Sequence, residues 1–115
     1  YFIRKNLIMQ IDNEASQIEL QVYNTLKKVI DPELGINIID MGLIYTIKYR
    51  ERNSIYISMT LSSEGCPMGE IIMNDIYSVL TDAFPELKPE IELTWTPKWT
   101  SEFITPEGRK LLDIA

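Results

Sequence analysis

Two strings of alternating residues frame this chain. Leu43, Tyr45, Ile47 and Tyr49 alternate with Ile44, Thr46, Lys48 and Arg50, and Ile55, Ile57, Met59 and Leu61 alternate with Tyr56, Ser58, Thr60 and Ser62. A period of two is that of a strand with one face buried. Glu51-Arg52-Asn53 lies between the two runs, so they predict a β-hairpin with its apolar residues on one side. Elsewhere the period is helical. Ser16-Gln17-Ile18-Glu19 reads as a capping box, with Ser16 as N-cap and Glu19 reaching back to it. Ile18, Val22, Leu26, Val29 and Ile30 continue one apolar face. Asp31 precedes Pro32, which steers it out of the α region and ends the helix near Ile30. A second helix is predicted over Met68–Ala83, with Ile72, Ile76, Val79, Leu80 and Ala83 inward and Phe84-Pro85 closing it. Ile91, Leu93 and Trp95 alternate with Glu90, Glu92 and Thr94 as a third strand, which Pro97 terminates. Thr105-Pro106 supplies the N-cap and first position of a short last helix through Leu111 and Leu112. The order α-β-β-α-β-α predicts an α+β fold. It is a two-layer sandwich with a small three-stranded mixed sheet and helices packed on one face.

The 115 residues suffice for one modest core. A single domain is expected over 16–115, preceded by an N-terminal extension over 1–15 to which no structure is assigned. A net charge of −6 argues against a nucleic-acid or anionic-membrane surface. No apolar run approaches the roughly 20 residues that span a bilayer. A single cysteine, Cys66, excludes an internal disulfide framework and fits a reducing cytoplasm. The chain has no histidine, so Ser-His-Asp and Cys-His catalysis and His-ligated zinc are all excluded within it.

Candidate chemistry centres on Ser62-Ser63-Glu64-Gly65-Cys66-Pro67-Met68-Gly69-Glu70. Pro67 suits the first helical position, which would make Cys66 the N-cap of the second helix. A thiol at the positive end of a helix dipole ionises more readily than a free one. Glu64 and Glu70 oppose that effect. The plain reading of a lone cysteine is a small buried apolar residue. Glycine before it and proline after it instead place this one at a loop-to-helix junction. The hairpin adds geometry. Its antiparallel strands bring the Asp31–Gly42 connection beside the Cys66 connection. If the second helix crosses back to a parallel third strand, Pro97–Ile104 arrives at the same edge. Glu33, Asp40, Thr60, Ser62, Cys66 and Trp99 are thereby expected together, with Cys66 close to Asp40. Taken by themselves, the acids and glycines of Asp31–Gly42 read more readily as ordinary turn chemistry than as function.

Asp31-Pro32-Glu33-Leu34, Asn37-Ile38-Ile39-Asp40-Met41-Gly42-Leu43-Ile44-Tyr45, Met59-Thr60-Leu61 leading to Gly65-Cys66-Pro67, and Trp95-Thr96-Pro97-Lys98-Trp99 occur in that order. Together these four blocks, spread over residues 16–112, resemble the PaaD-like and SufT-like metal–sulfur cluster biosynthetic proteins. The resemblance implies a factor that assembles iron–sulfur clusters or delivers a cluster or iron to client proteins, with Cys66 as key residue and metal ligand. Asp40, Glu33 and Thr60 would surround it, and scaffold proteins or client apoproteins would be the partners. The approach to the cysteine, Leu61-Ser62-Ser63-Glu64, departs from the threonine-containing stretch that many members carry. The alternatives are an adaptor that binds no cluster and an enzyme using Cys66 in sulfur or acyl transfer. Clusters are usually held by four ligands, mostly thiolates. With one thiolate per chain, any cluster is expected to be labile and shared between two subunits of a homodimer or with a partner.

Overall fold

The computed structural model describes residues 13–65 and 67–113. Helix α1 spans Asn13–Leu26, one turn earlier than the capping-box reading, so Asn13, Glu14 and Ala15 belong to it. Ser16 is therefore not a cap; it is buried inside the helix. The carboxylate expected to reach back to Ser16 does something else. Glu19 Oε2 accepts the backbone N–H of Tyr49 at 3.0 Å. Glu19 thus serves a strand that is at the sheet's edge among the described residues, where outward N–H groups need another acceptor.

Strands β3 (Ile44–Arg50), β4 (Ser54–Met59) and β5 (Lys88–Leu93) form the three-stranded sheet, in that order. β3 and β4 are antiparallel, and β4 and β5 are parallel. The mixed sheet and the hairpin are as the alternation predicts. Arg52 and Asn53, in the hairpin turn, both have positive φ. Helix α2 (Gly69–Ala83) supplies the crossover between the parallel strands. It buries Ile72, Ile76 and Leu80 against Ile55, Ile57 and Met59 of β4, with Val22 and Leu26 of α1 in the same core. Helix α1 lies along β3 and beside α2.

Two features depart from the periodicity. The stretch from Ile30 to Gly42 contains two short antiparallel strands, β1 (Ile30–Asp31) and β2 (Ile36–Asn37). Each is two residues long, too short for alternation to register. The last helix, α3 (Pro106–Leu111), packs on β2 and does not join the layer over the sheet. Its N-cap is Thr105, whose Oγ1 accepts the Gly108 N–H at 3.0 Å. Pro106 stands at the start of the helix, as expected.

A cleft lined by Ile18, Asn53, Phe84, Pro85 and Leu87 opens at the hairpin-turn end of the sheet. The candidate chemistry lies at the other end.

Candidate functional site

Three connections meet where β3 begins and β4 and β5 end. Ser62 Oγ donates to Glu33 Oε2 at 3.5 Å, joining the strand-to-helix connection to the β1–β2 turn. Trp99 Nε1 donates to the Met41 carbonyl at 2.7 Å, joining the segment after β5 to the same region. The Tyr45 hydroxyl donates to the Pro97 carbonyl at 2.7 Å. These bonds give physical form to the convergence that the hairpin geometry requires.

Asp40 is the most heavily bonded of the candidate residues. Asn37 Nδ2 donates to its Oδ2 and Thr105 Oγ1 to its Oδ1, each at 2.7 Å. Its own N–H donates to Asn37 Oδ1 at 2.8 Å, and its carbonyl accepts the Thr105 N–H at 2.9 Å. Oδ1 thus ties the connection to the start of α3, while Oδ2 braces the connection internally through Asn37. Next to it, Gly42 has φ +78, and a Cβ there would lie 2.7 Å from Phe103 Cβ. Only glycine allows the backbone this conformation and this approach together.

Thr60 is fully buried, and its N–H donates to the Leu43 carbonyl at 2.8 Å. Its hydroxyl donates to the Leu61 carbonyl at 3.5 Å. Burial pushes the Tyr45 phenol above its ordinary value, and the nearby Thr60 hydroxyl only partly offsets this. Tyr45 was expected as a face residue of a regular strand. The register slips between Ile44 and Thr46, however, so Tyr45 is the extra residue of a β-bulge. A bulge re-aims a side chain, and this one turns the phenol toward Pro97. Its ring also meets Phe103 edge-on, with centroids 6.1 Å apart.

Asp31 also belongs to the site, although periodicity offers no hint of its state. It is 1% exposed. Its Oδ1 accepts the Glu33 N–H at 2.8 Å, and its carbonyl accepts the Gly35 N–H at the same distance. Burial raises its carboxyl above the ordinary value, against the bond from Glu33; the nearby Glu33 charge also raises it. The sequence signal was the Asp-Pro-Glu turn itself, since an aspartate commonly bonds the backbone two residues on. Its side chain sets the turn that carries Glu33 to Ser62.

Cys66 lies outside the described residues, as does its approach to Asp40. The helix that follows it is described, and it begins later than expected. The N-cap of α2 is Met68, with no side-chain cap, so Cys66 precedes the cap by two residues. The boundary follows from packing at Gly69. A Cβ at Gly69 would stand 2.7 Å from Leu61 Cδ1, so its absence admits the Leu61 side chain against the first turn. Pro67 belongs to the turn before the helix. Among the described residues, no group of three Asp, Glu, Cys or His side chains is gathered as a metal site. No described helix is long and apolar enough to cross a membrane.

The chain belongs to the iron–sulfur cluster assembly protein family, whose pattern matches residues 19–92. Among its relatives is the Fe-S protein maturation auxiliary factor YitW of Bacillus subtilis, 39% identical over 94 residues. That alignment covers 81% of this chain and 91% of the relative. The auxiliary factor SufT of Staphylococcus aureus is 36% identical over 88 residues, covering 76% of this chain and 99% of its own. A crystal structure of a domain of unknown function from Bacillus anthracis superposes with a TM-score of 0.85 at 35% identity, over 90% of this chain and 99% of that one.

Proposed function

We propose that this protein is an iron–sulfur maturation factor that carries or delivers a cluster, or iron, to client proteins through Cys66. The observation that carries the reading is the stapling of three connections around the segment that holds the chain's only cysteine. Ser62–Glu33 ties that segment to the β1–β2 turn, and Trp99–Met41 and Tyr45–Pro97 tie the segment after β5 to the same end of the sheet. Membership of the assembly family, and the maturation role printed in its relatives' names, supply the chemistry. Glu33, Asp40, Thr60, Ser62 and Trp99 are read as the residues that shape the site. Asp40 does so by holding the connection, since both of its carboxylate oxygens already accept hydrogen bonds. A reducing compartment such as the cytoplasm would keep the thiol available.

The cluster is cargo here, and the donor set limits how it is held. One thiol and no imidazole per chain fall short of the four ligands a cluster usually takes. The reading is therefore a labile cluster shared between two subunits or with a scaffold or client. The test has two arms. In cells lacking the protein, Cys66→Ala is expected to fail to restore activity of an iron–sulfur enzyme while melting like the wild type. Native mass spectrometry after anaerobic reconstitution is expected to show cluster only on dimers or complexes. Restoration by Cys66→Ala would overturn the reading. A monomer retaining an intact cluster would overturn the shared-ligand part, and no iron at any stoichiometry would favour the adaptor.

A further inference from the structure

We propose that the outer face of α2 is a docking surface for a basic, amphipathic segment of a protein partner, which would lie along the helix and bring the partner up to the Ser62–Pro67 connection. Seen down its axis, α2 turns Ile72, Ile76 and Leu80 to the core and leaves an opposite arc in solvent. That arc carries Glu70, Asp75 and Asp82 together with two large apolar side chains, Ile71 and Tyr77, which are 50% and 40% exposed. None of the three acids has an ion pair or side-chain hydrogen bond among the described residues. The contrast with the open face of the sheet is sharp. There Arg50 pairs with Glu90 at 3.4 Å and lies 4.1 Å from the centre of the Tyr56 ring, while the Tyr56 hydroxyl donates to Glu92.

The imbalance is written in the sequence. From Asn53 to Leu87 there is no lysine or arginine, while Glu64, Glu70, Asp75, Asp82 and Glu86 all fall in that stretch. Lys27 and Lys28 lie in the turn beyond the end of α1, and Lys27 sits over the Tyr23 ring. A face of uncompensated negative charge repels nucleic acid and anionic lipid. A second copy docking through the same face would set acid against acid, because a two-fold interface pairs a patch with itself. A basic segment satisfies the charges, and its apolar side covers Ile71 and Tyr77. Helix α2 begins at Gly69, directly after the Ser62–Pro67 connection, so a segment reaching its first turn ends beside that connection.

That the partner is a client or scaffold rests on the maturation reading; the docking itself does not require Cys66. The probe is a synthetic amphipathic Lys/Leu peptide of roughly 15 residues, matched to the length of α2, with a Glu/Leu peptide as control. Amide shifts of the full-length protein are followed during titration, and affinity is measured by fluorescence anisotropy. The expected result is shifts confined to residues 62–65 and 69–82. Affinity should fall about tenfold in Ile71→Ser/Tyr77→Ser, remain unchanged in Cys66→Ser, and be absent for the Glu/Leu peptide. Both replaced side chains are exposed, and circular dichroism confirms that the variant is folded. Shifts spread evenly over the surface, an affinity indifferent to the double substitution, or equal binding of the Glu/Leu peptide would overturn the proposal. Those results would leave the Cys66→Ala complementation outcome, and hence the maturation reading, standing or falling separately.

Discussion

Asp31 is a carboxyl kept out of water by the turn it stabilises. Because burial holds its pKa above 3.8, the folded chain binds this proton more tightly than the unfolded chain does. Its stabilising contribution is therefore fully present below that ordinary value and is lost as pH rises through the folded value. Asp31→Asn removes the titration and keeps an oxygen to accept the Glu33 N–H. Urea midpoints from about pH 3.5 to 7 should thus show the wild type losing stability relative to Asp31→Asn as pH rises. A constant difference would mean that the carboxyl does not titrate differently in the two states. Gly42 makes a demand of another kind. Gly42→Ala meets both a positive φ and the Phe103 backbone, and should cost about 2–4 kcal/mol in chemical denaturation.

Among the elements, α3 depends on a neighbour for its beginning. Thr105 caps it and also donates to Asp40, so one hydroxyl links the helix start to the connection before β3. Thr105→Ala should cost about 1–2 kcal/mol through the lost cap and free the Asp40 carboxylate. Amide exchange should accelerate in both α3 and 37–42. Exchange confined to α3 would show that Asp40 does not depend on it. The main elements were legible because their periods are long and regular. The hairpin, the crossover helix and the last helix follow from alternation, an i/i+4 face and a Thr-Pro start. Paired residues as few as those of β1 and β2 leave no period. The bulge at Tyr45 looks in sequence like one more alternating position. Ser16 and Glu19 have the spacing of a capping box, but tertiary demand overrode it when Glu19 found an unpaired N–H on β3. The convergence of Glu33, Ser62, Met41 and Trp99 was legible because strand direction alone fixes which connections share an end. That Asp40 serves as a tie was not, because a carboxylate's partners depend on Asn37 and Thr105, the latter 65 residues away.

For the whole molecule, the distribution of order matters more than its amount. The core of α1, α2 and β4 leaves one end of the sheet to the three stapled connections, and the cleft at the other end shares no residue with them. The sheet also has two rims, and each is blunted. On β5, Pro89 has no N–H to offer, while Glu90 and Glu92 add charge. On β3, the Glu19 carboxylate occupies the Tyr49 amide. A bare rim would let an exposed strand of another chain add to it. Glu19 acts as a stopper against such adhesion, so Glu19→Ala should leave the fold nearly as stable yet raise thioflavin-positive aggregation on prolonged agitation.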